Sequence, residues 1–258
     1  MGEYMSTILM SHQVAGYPDD ETCLAAGEAL IAGGTKILEV QLAFSDPSAD
    51  GPAIQNACST VLARKYTVKQ GMAYIAEMRR RHPEIQIFLM TYAALVYRPG
   101  VENFVKMAAG SGVNGLIVPD LPFDCDEGLT AACKKYGIHN IPVAAPSMTD
   151  ERLKQMTSQK FEYIYTALRA GITGTKTVVT KEMLDFIDKT SAGGAKILGG
   201  FGITCEEQAR LIAPHVYAIV AGSVFVNIIR ENYSAEEPEA SIPVIQEKIK
   251  AKAKELRL

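Results

Sequence analysis

An α/β chain folded as one (β/α)8 TIM barrel over residues 1–258 is what the sequence predicts, on three observations. Short apolar runs of strand length alternate with amphipathic, helix-length segments, and eight such units can be counted. The length of 258 residues matches the usual size of such a barrel, at roughly 25 to 35 residues per unit. No linker, low-complexity tract or charge block divides the chain.

The first strand is expected over Thr7–Val14, followed by Ala15-Gly16-Tyr17-Pro18-Asp19 and a helix to Ala32 that Gly33-Gly34 ends. The second strand is Ile37–Leu42. A helical segment from Ala53 to Ala63 leads to another opening at Thr67, where Thr67 and Gln70 form a capping box. Strand three, Ile87–Thr91, runs into the Tyr92–Tyr97 loop and a helix from Val101. Strand four is Gly115–Val118, and its helix runs to Tyr136, stopped by Gly137. Strand five covers Ile138–Ala144, with a helix from Thr149. Strand six, Tyr163–Ala167, opens into a loop bearing Arg169, Gly171, Thr173, Gly174 and Lys176, with a helix from Thr180. Strand seven, Lys196–Leu198, precedes Gly199-Gly200-Phe201-Gly202 and a helix capped by Thr204 and Glu207. Strand eight, Ala218–Ala221, meets Gly222-Ser223 and a short helix, before a last helix over Ile242–Arg257.

Composition narrows the function. A net charge of −3 with no basic run longer than Arg79-Arg80-Arg81 argues against a nucleic-acid partner. The longest apolar stretch, Val216–Ile229, is interrupted and too short to span a bilayer. The amino end lacks the features of a secretory signal, and a cytoplasmic location is expected. Five cysteines, odd in number and without a Cys-x-x-Cys pair, suggest a reducing compartment, no structural zinc and buried thiols in helices or helix starts.

One residue breaks the strand pattern. Strand two should be buried on both faces and therefore apolar throughout, yet it carries Glu39. Alternation sets Ile37, Glu39 and Gln41 on one face and Leu38, Val40 and Leu42 on the other. A recessed carboxylate either finds partners or stays protonated, so a structural glutamate and a general acid–base group both fit. Asp46 and Asp50 follow in the loop at the strand's carboxyl end, where barrels place their ligands. One recessed and one loop carboxylate, Glu39 and Asp50, suit a reaction that moves two protons at different places.

The glycine-rich loops after strands seven and eight, the second opening a helix, suit a phosphate held by backbone amides and the helix dipole. No metal-ligand spacing occurs among the four histidines, and no serine-nucleophile motif is present. His12, near the end of strand one, could reach the barrel mouth, although a structural role is the first reading. What is left is acid–base chemistry by carboxylates on a phosphorylated substrate.

These residues resemble the tryptophan synthase α subunit family across nearly the whole chain. The motifs that carry the likeness are Phe44-Ser-Asp46-Pro-Ser-Ala-Asp50-Gly-Pro52 with Glu39 before it, Arg169-Ala-Gly171-Ile-Thr173-Gly174, and Gly200-Phe201-Gly202-Ile203. The resemblance implies a lyase that cleaves indole-3-glycerol phosphate to indole and glyceraldehyde 3-phosphate without a cofactor. By the same analogy Asp50 takes or polarises the indole N–H proton, and Glu39 serves ring carbon C3 and the glycerol hydroxyl. Gly174, Gly202, Gly222 and Ser223 map to the phosphate site, Tyr165 to the residue near the catalytic Glu, and Tyr92, Thr173 and Phe201 to the pocket wall and loop contacts, all as substrate-binding residues. The family's partner is a β subunit that carries pyridoxal phosphate (PLP), in an α2β2 heterotetramer. A free-standing lyase and a subunit that mainly activates the β partner remain alternatives. The chain departs from the family at Gln41, usually Gly, at Ala43, usually Pro, after Tyr92, where an Asn is common, and at His12, often aromatic or apolar. Gln41 is expected to hydrogen-bond near Glu39 or to narrow the site.

Overall fold

A computed structural model describes residues 7–167, 179–200 and 202–258. Its strands are β1 (Ile8–Val14), β2 (Ile37–Gln41), β3 (Gln86–Met90), β4 (Gly115–Ile117), β5 (His139–Ile141), β6 (Val143–Ala144), β7 (Tyr163–Ala167), β8 (Lys196–Gly200) and β9 (Ala218–Ala221). All pairings are parallel, in the order β5-β4-β3-β2-β1-β9-β8-β7-β6. The two ends of that order are halves of one expected strand. Pro142 separates them, since it has no N–H to give to a ladder. The first half pairs with β4 and the second with β7, so the sheet closes into the expected barrel.

Helices alternate with the strands and cover the outside: α1 (Asp20–Ala32), α2 (Pro52–Ala63), α3 (Val68–Arg81), α4 (Ala93–Tyr97), α5 (Val101–Gly110), α6 (Leu129–Tyr136), α7 (Asp150–Ser158), α8 (Lys181–Ser191), α9 (Glu206–Ile212), α10 (Ser223–Asn232) and α11 (Pro238–Leu256). The capping box at Thr67 forms, with the Gln70 amide donating to Thr67 Oγ1 and the Thr67 amide to Gln70 Oε1. Gly137 ends α6 with φ of 71°, a left-handed turn that glycine adopts without strain.

Four details depart from the sequence-based expectations. Tyr92–Tyr97 is not all loop, because Ala93–Tyr97 winds into a short helix. The residue that satisfies Thr204 is Gln208 rather than Glu207, with the Thr204 amide donating to Gln208 Oε1 at 2.8 Å. The last helix begins at Pro238, which suits a first helical turn because its missing N–H would have no partner there. Cys125 is exposed in the loop before α6, not buried in a helix.

Two apolar layers follow from strand alternation. Residues such as Leu9, Leu38, Val40, Ile87 and Leu89 face outward into the helices. Met10, Ile37, Phe88, Met90, Ile117, Tyr163, Leu198 and Val220 face inward and fill the barrel. Among the described residues no helix is long and apolar enough to cross a membrane.

Candidate active site

The parity that turns Ile37 into the barrel also turns Glu39 inward, and it is 3% exposed. Its neighbour on β1 is His12, which is paired with it in register and equally recessed at 5% exposure. His12 Nδ1 lies 3.2 Å from Glu39 Oε2. Glu39 therefore has a partner, and it is neither a backbone amide nor an arginine.

Asp50 is buried in the loop after β2, where a tight turn fixes it. Its amide donates to the Pro47 carbonyl, and Gln55 Nε2 donates to the Asp50 carbonyl at 2.9 Å. Two donors meet on one carboxylate oxygen, Tyr92 Oη at 2.7 Å and Gln41 Nε2 at 2.7 Å from Oδ2. Gln41 thus serves Asp50 and not Glu39, which corrects the expectation from alternation. Parity gives the face of a side chain but not how far it reaches along the barrel axis. Burial pushes the Asp50 carboxyl above its ordinary value; the His12 charge and the Tyr92 and Gln41 hydrogen bonds pull the other way, and Glu39 adds to the rise. For His12, burial alone would lower the pKa, but its hydrogen bond to Glu39 and the charges of Glu39 and Asp50 outweigh it, so the imidazole is raised.

These groups face one cavity at the carboxyl ends of the strands. Ile54, Met90, Ile117, Val143 and Val220 make its wall apolar, and Tyr165 lines it as well. Burial and the Glu39 and Asp50 charges hold the Tyr165 phenol well above its usual value, so it is a neutral hydroxyl. Tyr92 does not line the cavity. It is fully buried behind Asp50, stacked on Phe44 with centroids 5.1 Å apart, and it accepts the Ala49 amide. Asp46 is exposed and paired with Ser45, away from the cavity.

Gly202, Gly222 and Ser223 line another part of the cavity wall. Gly202 has φ of 92°, which favours glycine. Gly222 is required by space instead, since a Cβ there would stand 3.0 Å from His12 Cβ and 3.2 Å from Cγ. Ser223 opens α10, whose first amides lack carbonyl partners within the helix and so favour an anion. Thr173, Gly174 and Phe201 lie outside the described residues. Among the described residues no group of three His, Cys, Asp or Glu side chains could share a metal ion. The arrangement offers an apolar wall, two carboxylates of different surroundings and a helix amino terminus.

Sequence reasoning did not find the Gln41–Asp50 bond or the apolar wall. The wall had a signal, since Met90, Ile117 and Val143 all fall on inward parity near strand ends.

The tryptophan synthase alpha chain family model matches residues 4–255. The tryptophan synthase alpha chain of Helicobacter hepaticus is 38% identical over 229 residues, covering 86% of this chain and 86% of that one. That of Methanosarcina acetivorans is 34% identical over 250 residues, covering 96% and 87%. Among solved structures, a Mycobacterium tuberculosis tryptophan synthase matches with a TM-score of 0.86 at 28% identity, over 99% of this chain and 94% of that chain. A tryptophan synthase complex from Pyrococcus furiosus matches with a TM-score of 0.84 at 30% identity, over 97% and 98%. A closed parallel barrel with Glu39 and Asp50 at one cavity, and a sequence alike from end to end, lead to one conclusion: the chain belongs to the tryptophan synthase alpha chain family.

Proposed function

We propose that this chain cleaves indole-3-glycerol phosphate to indole and glyceraldehyde 3-phosphate, as the α subunit of tryptophan synthase in tryptophan biosynthesis. The observation that carries this reading is the pair of buried carboxylates, Glu39 and Asp50, at one apolar cavity whose wall also includes Gly202, Gly222 and the start of α10. The apolar wall of Met90, Ile117 and Val143 suits an indole ring, and the start of α10 at Ser223 suits a phosphate. Gly174 is assigned to the same phosphate site, and Thr173 and Phe201 to substrate contacts, from the sequence alone.

The reaction is a reverse aldol. Glu39 gives a proton to indole C3 and takes the proton of the glycerol hydroxyl as the carbon–carbon bond breaks, leaving an aldehyde. Asp50 polarises the indole N–H, or receives its proton and returns it as the carbon–carbon bond breaks, and its single-oxygen clamp by Tyr92 and Gln41 leaves the second oxygen for that task. Positioned proton transfer of this kind contributes about 10²- to 10⁴-fold. Tyr165 serves as a neutral hydroxyl in the wall beside Glu39. No step needs a cofactor in this chain; PLP would belong to a β partner, in an α2β2 assembly in the cytoplasm. The solved relative from Pyrococcus furiosus, described as a complex, supports a partner.

The test is indole release from indole-3-glycerol phosphate by the chain alone and mixed with a β subunit, for wild type and Glu39→Gln. Activity that the β subunit raises, and that Glu39→Gln abolishes, is expected. Full activity without stimulation would point to a free-standing lyase. No activity in either setting, with β activation retained, would point to a regulatory subunit.

A further inference from the structure

We propose that His12 is a positioning residue for Glu39, so that the acid–base unit of this chain is a His12–Glu39 pair that holds a shared proton and not a lone glutamate. The inference rests on the function proposed above. Parallel pairing sets His12 and Glu39 opposite each other on β1 and β2, and both point into the barrel. Their 3.2 Å separation is fixed by two buried strands, so it does not depend on a mobile side chain. Gly222 packs against the same histidine, where an added Cβ would stand 3.0 Å from His12 Cβ, 3.2 Å from Cγ and 3.4 Å from Cδ2.

A histidine kept only for packing would normally have both nitrogens satisfied. His12 Nε2 is buried and has no hydrogen-bond partner among the described residues. The charges around the ring give it a task. Glu39 faces it from β2, Asp50 from the following loop, Tyr165 from β7, Ser223 from α10 and Tyr17 from the loop after β1. From α1 and α11 come only apolar side chains, Ala26, Leu30 and Ile249. Among the described residues lining the cavity, His12 alone can become a cation. Two carboxylates and an incoming phosphate would otherwise share this low-dielectric space unneutralised.

The pair also solves a timing problem in the reaction. Glu39 must be an acid toward C3 and then a base toward the glycerol hydroxyl. The proton shared between Nδ1 and Oε2 stays with the pair, and the proton that moves is a second one, carried on Oε1 of the carboxyl. When Glu39 has given its proton to C3, the Nδ1–H of His12 stabilises the carboxylate. When Glu39 takes the hydroxyl proton, the starting state returns, and no net proton is gained or lost. The raised His12 pKa is in keeping with this arrangement.

The experiment compares kcat and KM from about pH 5.5 to about pH 9 for wild type, His12→Gln, His12→Phe and Glu39→Gln. His12→Phe is expected to lose roughly tenfold or more in kcat, with KM changed by less than about threefold. His12→Gln keeps a donor that does not titrate; it should recover part of kcat near neutrality and lose the fall in rate that wild type shows as His12 deprotonates. A second reading needs neither turnover nor a His12 variant. By NMR, the His12 ring should titrate at lower pH in Glu39→Gln than in wild type. A wild-type kcat and pH profile in His12→Gln, or an unmoved His12 titration in Glu39→Gln, would overturn the pairing. An active Glu39→Gln enzyme would instead overturn the proposed function, so the two failures are distinct.

Discussion

Asp50 takes two hydrogen bonds on one oxygen, from Tyr92 and Gln41, and each opposes the rise that burial imposes on its carboxyl. Removing either donor therefore raises the Asp50 pKa further and moves the acid limb of kcat/KM to higher pH. Tyr92→Phe should show this shift together with a loss of stability of about 1.5–3 kcal/mol, the usual worth of a hydrogen bond to a charged group. Gln41→Gly should move the limb the same way, and an unshifted limb in both variants would exclude the clamp. His12 gives a stability signal of its own. Its folded-state pKa lies above the ordinary 6.5, so the folded chain binds the proton more tightly than the unfolded one. That stabilisation is complete below about pH 6.5 and disappears as pH rises through the folded value. The difference in urea stability between wild type and His12→Gln should shrink along that rise; a difference that grew would contradict the sign. At Gly222, an added Cβ would stand 3.0 Å from His12 Cβ, so Gly222→Ala crowds the ring beside Glu39. A lower kcat and a higher KM for the phosphorylated substrate are expected, and kinetics like the wild type would show that the ring can yield.

At the scale of the elements, stability and chemistry separate by which end of a strand a residue occupies. The capping box of α3 lies on the outside of the barrel, away from the cavity residues. Thr67→Ala should cost about 1 kcal/mol in a thermal or urea melt and leave kcat unchanged. A change in kcat beyond about twofold would mean that α3 reaches the site. Helix ends like this one were legible because a cap depends on side chains three residues apart, as at Thr67, Thr149 and Thr180. The split of the fifth strand was not, although Pro142 was in view. Whether a proline breaks a strand or sits at its edge depends on which neighbours that strand has on its two sides. The same limit hid Gln208 as the partner of Thr204, since a spacing of three residues and one of four are equally open to a side chain until the turn is built.

The whole molecule is a closed parallel barrel, and closure explains why one carboxylate in one strand revealed so much. Every strand is covered on both faces, so Glu39 could only be tolerated with a partner, and inward parity was enough to aim it at the cavity. Its partner was harder to read, because His12 lies 27 residues earlier and becomes a neighbour only through the β1–β2 register. Gln41 shows the same gap: its face was legible, and its choice of Asp50 over Glu39 was not. Closure also divides the interior into two ends with different duties. Glu39, Asp50 and Ser223 stand at the carboxyl ends of the strands. Deeper in the barrel, Tyr163 packs edge-on against Phe88, His139 and Tyr217, and Lys196 stands over its ring. Tyr163 is 2% exposed and lines no part of the active cavity. Truncating it removes the ring that the other three pack against while leaving every cavity residue in place. Tyr163→Ala should therefore lose about 3–5 kcal/mol of stability in a urea melt, the range for large aromatics in a core. Measured well below its new midpoint, its kcat should stay within about twofold of wild type. A small change in stability would mean that the amino end is not packed as tightly as its rings suggest. A large fall in kcat at full folding would mean that strain passes along β7 from Tyr163 to Tyr165, and that the two ends of the barrel are mechanically one.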